Sequence, residues 1–376
     1  MRRHRGLLVT GTVVLLLVPA GLAGAAPDDP RPGPSAPVAS VPAEPVPEGD
    51  RDHDRVSDDF AATLRRAAAR ETVRVIVTGL PSGQARRAVG RFALRHELSL
   101  IDGFAATMTA AQARTLARTP GVRRVEQDGT VLALDDATDR DFGATGARAG
   151  VPGLDGGGVG ICVVDTGIDP DHEQIAPRPV VFTDYVNHRT DAYDDHGHGT
   201  HVAAIAAGDG DGGPDAGTFG GVAPAAGLWA AKVLNSSGSG TDSDVAAAVQ
   251  WCHERSGVRV VSLSLGSPGT DGTDAVSLAV DRAATGVDGL PADVVVAAAG
   301  NSGDAPGTVS APGVAAEAIT VGAVADHSAP PGTDRHDDGI WLAAFSSRGP
   351  TISGLTKPDV AAPGVTVRSA QAATVG

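Results

Sequence analysis

Ile161-Cys162-Val163-Val164-Asp165-Thr166-Gly167 sets an unbroken apolar run directly before a carboxylate and a turn. A strand that is apolar at successive positions offers no polar face to water, so it must be covered on both sides. Residues 228–234, 258–265, 294–299 and 319–324 are near-continuous runs of the same kind. Between them, 198–207, 242–254 and 274–285 read as helices. Strands alternating with helices predict an α/β domain over 135–376, a parallel sheet with helices on both faces. Ligands of such sheets gather at the carboxyl ends of the strands, which is where Asp165 falls.

Upstream the rhythm changes. Residues 73–77 are β-branched, 82–97 carry apolar residues at helical spacing, and 99–108 return to a strand-like pattern. Thr109 followed by Gln112 is a capping box that opens a second helix, and Pro120-Gly121 ends it before a strand at 122–126. This predicts a small α+β module over 72–134 with a limited core of its own. Residues 26–71, rich in Pro, Ala and Asp, read as an extended linker, with order beginning near Val73. Residues 1–25 read as a signal peptide. Arg2, Arg3 and Arg5 precede an apolar run at 7–22 that is short for a membrane span, and Ala23-Gly24-Ala25 supplies the small-residue cleavage pattern. Export follows, with no stable membrane insertion once the signal is removed.

The chain has 376 residues, and its 45 acidic side chains against 30 basic ones leave a net charge of -15. That balance argues against nucleic acid as a partner. The two cysteines, Cys162 and Cys252, both sit in apolar segments. Buried free thiols are the simpler expectation, and a single bridge is compatible with export.

An Asp at a strand end is commonly a turn or cap residue, and an Asn after Gly is commonly a turn residue. Asp165, His198 in His196-Gly197-His198-Gly199-Thr200-His201, and Asn301 in Ala299-Gly300-Asn301 read differently when taken together. A carboxylate, an imidazole and an amide at element ends form the set an acyl-transfer enzyme needs. His196, His198 and His201 could instead hold zinc as a metal-dependent hydrolase, although the usual Cys or Glu partners are missing nearby.

From about residue 158 to 364 the chain resembles the subtilisin-like (subtilase) serine peptidases. The matching segments are Val163-Val164-Asp165-Thr166-Gly167-Ile168, His198-Gly199-Thr200-His201-Val202-Ala203, Ser262-Leu263-Ser264-Leu265-Gly266, Ala299-Gly300-Asn301 and Lys357-Pro358-Asp359-Val360-Ala361-Ala362-Pro363-Gly364. The resemblance implies a secreted endopeptidase acting on polypeptides. In it Asp165 orients and stabilises the imidazole, His198 is the general base and Asn301 donates to the oxyanion. Ser264, Leu265 and Gly266 form the strand edge that pairs with substrate backbone. It also implies that 72–134 is a ferredoxin-like, inhibitor-like propeptide, an intramolecular inhibitor and folding assistant. No cofactor is required for catalysis. A structural calcium is allowed, for which Asp184, Asp191, Asp194 and Asp195 offer oxygens; a solvated acidic loop explains them equally, so no metal residue is assigned.

One feature departs from the family pattern. Its serine lies on a Gly-Thr-Ser-x-Ala turn downstream of the Ala-Pro-Gly segment, and the twelve residues after Gly364 contain no such turn. Ser346, Ser347 and Ser369 lack its surroundings. Either the sequence is a fragment, or the protein is a pseudoprotease that binds peptides without cleaving them. The intact Asp165, His198 and Asn301 favour the first, and these 376 residues by themselves are expected to be inactive.

Overall fold

The computed structural model describes residues 50, 53–133, 151, 153–210, 220–287, 289–326, 340–365, 367 and 369–373. The expected signal peptide and residues 26–49, 51 and 52 of the expected linker lie outside the described residues.

The N-terminal module runs α1 (Asp58–Arg66), β1 (Thr72–Thr78), α2 (Ser82–Val89), β2 (Ala93–Leu98), β3 (Gly103–Thr109), α3 (Ala110–Ala117) and β4 (Arg124–Gln127). Its four strands lie in the order β2-β3-β1-β4, every neighbouring pair antiparallel. Two expectations need correction. The helix predicted over 82–97 is a helix and a strand. Gly90, at φ 79°, takes a backbone conformation that ends α2, and β2 begins three residues later. Nor is 26–71 extended throughout, because α1 buries Phe60, Ala61 and Leu64 against the module. The Arg114 guanidinium holds the end of α1 through the Leu64 and Ala67 carbonyls. Val56, Phe60 and Leu64 stand four apart, a helical spacing that the Pro- and Asp-rich composition of 26–71 outweighed. The capping box at Thr109 and Gln112 is formed.

The larger sheet contains β6 (Gly160–Asp165), β7 (Val180–Asp184), β8 (Gly227–Lys232), β10 (Val258–Leu263), β12 (Val294–Ala298), β13 (Ile319–Asp326), β14 (Ile340–Leu342) and β15 (Val360–Pro363). Its order is β14-β13-β12-β10-β6-β8-β7, with β15 also on β13, and only β14 is antiparallel. This is the predicted parallel α/β architecture. On one face Cys162, Val164, Val261, Leu263, Val295 and Ala297 pack with α5 (Asp242–His253) and α6 (Ala275–Thr285). On the other, Ile161, Val163, Leu228 and Ala230 meet Ala203, Ala204 and Ala207 of α4 (His198–Ala207). Strand alternation sends neighbouring side chains to opposite layers.

Cys162 on β6 and Cys252 on α5 form a disulfide, so the free-thiol expectation gives way to the bridge. Two apolar segments that pack together had already brought the sulfurs within reach.

The face that α4 covers over β6 and β8 continues across β12, β13 and β15. There Val294, Ile319 and Val360, which the strand register puts on one face with a two-residue stagger from strand to strand, remain 48%, 41% and 51% exposed. Among the described residues this part of the sheet has an apolar surface open to solvent.

Candidate active site

Asp165 closes β6 and is fully buried. Its Oδ1 accepts from the Thr166 amide at 2.6 Å and lies 2.7 Å from Nδ1 of His198, the first residue of α4. His198 is 5% exposed. Two residues 33 positions apart thus meet because a strand end and a helix start converge.

Asp194 fastens that convergence. Its Oδ1 accepts from the Thr166 hydroxyl and from the amides of His196 and Gly197, while Oδ2 accepts from the Thr200 amide and hydroxyl at 2.9 and 2.7 Å. Burial would raise this carboxyl, but the donated hydrogen bonds outweigh it and hold the group below the usual carboxylate range. Thr166 in turn accepts from the Gly199 amide at 2.8 Å. A Cβ at Gly199 would stand 2.1 Å from the Gly167 carbonyl, so only glycine lets α4 start this close.

Asn301 follows β12 and Gly300 and is exposed. In sheet order β12 is separated from β6 only by β10. The Asn301 turn is pinned from outside. Ser347 donates its amide to the Gly300 carbonyl at 2.9 Å, and its hydroxyl accepts from the Ser302 amide at 3.0 Å. Gly300 stands at φ 108°, and a Cβ there would meet the Ser310 hydroxyl at 2.1 Å. The sequence had no signal for Ser347 in this role, since it lies 46 positions downstream in a loop. Ser346 accepts from the Ala323 amide, and the Ser369 hydroxyl donates to the His201 carbonyl.

Ser264 links β10 to β11 (Leu265–Gly266), and β11 is already paired. β5 (Thr130–Ala133) lies antiparallel between β11 and β9 (Ser239–Thr241), with Ala133 opposite Leu265 and Leu132 opposite Gly266. Val131 is buried there and Leu132 is half exposed. The tail of the N-terminal module therefore occupies the strand edge expected to take substrate. The module also caps two helices. The Glu126 carboxylate accepts from the Ala275 amide at 2.7 Å and Asp128 from the Ser243 amide at 3.0 Å. Arg95 and His96 reach Asp244 at 2.6 and 2.7 Å. Burial pushes Glu126 up to about 8 against the pull of Arg124, 2.9 Å away, and burial with neighbouring carboxylates pushes Asp242 up to about 7.

Three of the four acidic residues considered for calcium are engaged with protein donors, and Asp191 is exposed. Asp184 accepts from the amides of Val186, Asn187 and Arg189 and from the Tyr193 hydroxyl. Asp194 is filled as described, and Asp195 pairs with Lys232 at 2.6 Å. Among the described residues no group of three or more His, Cys, Asp or Glu side chains is placed to hold a metal ion. The His201 imidazole faces the Val367 carbonyl at 3.2 Å while His198 faces Asp165, so the two rings do not converge on a common ion.

Residues 156–375 match the model of the subtilase family, peptidase S8. The chain belongs to the subtilase family. Residues 86–133 match the peptidase inhibitor I9 model. The serine protease AprX of Bacillus subtilis is 37% identical over 301 residues, covering 77% of this chain and 65% of that protein. An alkaline protease of Shouchella clausii is 35% identical, covering 73% of this chain and 64% of its own length. Subtilisin E of Bacillus subtilis is 32% identical over 282 residues, covering 73% of this chain and 65% of that protein. This subtilase chain therefore spans about two thirds of the curated relatives it matches.

Proposed function

We propose that this subtilase is the precursor of a secreted serine endopeptidase. Asp165 orients and stabilises the His198 imidazole. His198 takes the proton from a serine hydroxyl as that oxygen attacks the scissile carbonyl, then returns it to the leaving amine. Asn301 donates to the oxyanion of the tetrahedral intermediate. The polypeptide substrate adds as a strand along Ser264, Leu265 and Gly266. The observation that carries this reading is the buried 2.7 Å contact between Asp165 and His198 at the carboxyl end of a parallel sheet, beside a strand edge already holding a peptide segment.

The nucleophile belongs on a Gly-Thr-Ser-x-Ala turn, which does not occur within these 376 residues. The bare apolar face over Val294, Ile319 and Val360 suits the helix that such a turn would open, because both faces of a parallel sheet are normally covered. β5 on β11, with the Glu126 and Asp128 caps, supports 72–134 as an intramolecular inhibitor that must leave before substrate enters. The engagement of Asp165 with His198 favours this mechanism over zinc hydrolysis.

A serine-directed fluorophosphonate tests the proposal. These 376 residues are expected to take no label, and the gene product read onward through a Gly-Thr-Ser-x-Ala turn, with the module removed, is expected to label stoichiometrically and to lose the label on His198→Ala. Labelling of the 376-residue chain would contradict the assignment of the missing serine. An unlabelled extended chain that still binds peptides would favour the pseudoprotease.

A further inference from the structure

Lys232 is the last residue of β8 and is fully buried, an unusual state for an ammonium group. In the sheet register it stands directly between Asp165 on β6 and Asp184 on β7, so a buried cation lies between two buried carboxylates on the face that α4 covers. Its Nζ does not bond to either of them. It donates to the Thr166 carbonyl, to the Leu234 carbonyl at 2.8 Å and to Asp195 Oδ1 at 2.6 Å, and the Tyr193 ring lies 5.1 Å from it. Three ammonium donors meet three acceptors.

Those acceptors sit on the segments that build the site. Thr166 follows Asp165, Asp195 lies three residues before His198, and Leu234 is in the chain that leaves β8. The amides of Val233 and Leu234 both donate to the Asp165 carbonyl, so the same crossing is stitched in both directions. Among the described residues Asp165 Oδ2 is buried without a hydrogen-bond donor, so the orientation of this carboxylate rests on Oδ1 and on its backbone being held in place.

We infer that Lys232 is a positioning residue, whose ammonium clamps the Asp165–Thr166 turn to the loop that delivers His198 and so keeps the two side chains aligned. The inference rests on the reading of Asp165 and His198 as the orienting carboxylate and base. An apolar side chain of the same length would fill the space, but would leave two carbonyls and a carboxylate without their donor.

The test uses the 376-residue chain and the deshielded proton between His198 Nδ1 and Asp165, read by nuclear magnetic resonance. In Lys232→Met, that proton is expected to exchange with solvent at least tenfold faster or to vanish, while amides in β10 and β12 keep their protection. A proton unchanged in Lys232→Met would overturn the inference, as would its loss only in step with the amides of the whole sheet. If Lys232→Met does not fold, Asp195→Asn decides. That variant keeps the lysine and removes its anionic partner, and is expected to speed exchange several-fold; exchange at the wild-type rate would overturn the clamp. Faster exchange in these variants, with an extended wild-type chain that takes no phosphonate, would support the clamp while removing the protease reading.

Discussion

Two buried imidazole–carboxylate pairs lie at opposite ends of the large sheet. His198 Nδ1 is 2.7 Å from Asp165, and His253 Nδ1 is 2.6 Å from Asp293. In both pairs each residue is at least nine-tenths buried. Geometry at the contact does not separate them. Position does: Asp165 ends β6 and His198 starts α4, whereas His253 ends α5 and Asp293 immediately precedes β12. The first pair therefore sits at the carboxyl ends of the strands, where ligands of parallel sheets gather, and the second at the amino ends. Only the first lies beside a peptide-filled strand edge. Under the proposed mechanism the first pair orients a catalytic base, whereas the second ties a helix to a strand.

The largest test of that difference is Asp165→Asn in an extended, otherwise active chain. Turnover is expected to fall about 10⁴-fold, because an amide no longer selects the imidazole tautomer that can accept the serine proton. Asp293→Asn should leave kcat unchanged. Equal losses in steady-state assays of the two variants would erase the distinction. Asn301→Ala should cost on the order of 10²–10³ in kcat with little change in KM, the loss already measured for the oxyanion asparagine of subtilisin, a member of this family.

His253→Ala should act on stability instead. It strands a carboxylate that burial already lifts above its ordinary range, against the pull of His253. Breaking a buried pair in this way costs about 3 kcal/mol, readable as a lower denaturation midpoint at unchanged slope. A variant as stable as the wild type would show that the second pair is dispensable.

The architecture was legible in the sequence because strands covered on both faces leave runs such as Ile161-Cys162-Val163-Val164 that no other element explains. Asp165, His198 and Asn301 could be singled out because each follows or opens such an element beside glycines that close packing demands, and the structure brings the first two into contact. What could not be read was long-range. Ser347 under the Asn301 turn, Lys232 between two aspartates and β5 on β11 all depend on contacts that leave no local period. Gly90 was readable and outweighed: a helical spacing over 82–97 overrode one glycine, although its positive φ is what divides α2 from β2.

Glu126 is another buried carboxylate, held by a helix N-terminus and the Arg124 guanidinium rather than by a histidine. Burial raises it to about 8 from an ordinary value of 4.5, so the folded interface keeps a proton that the unfolded chain releases. The stability it contributes is complete below pH 4.5 and is lost as pH climbs through 8, with a slope of up to about 1.4 kcal/mol per pH unit. Asp242, raised to about 7, adds to the same trend. The contact between the N-terminal module and α6 should therefore loosen on the alkaline side, seen as faster amide exchange in β4 and at Ala275 between pH 6 and 9. Glu126→Gln keeps an acceptor for the Ala275 amide and has no proton to lose, so its exchange should rise less with pH than the wild type's after correction for intrinsic base catalysis. Parallel profiles for the two would mean that Glu126 is ionised throughout, held by Arg124 2.9 Å away, and that burial has not won over the ion pair.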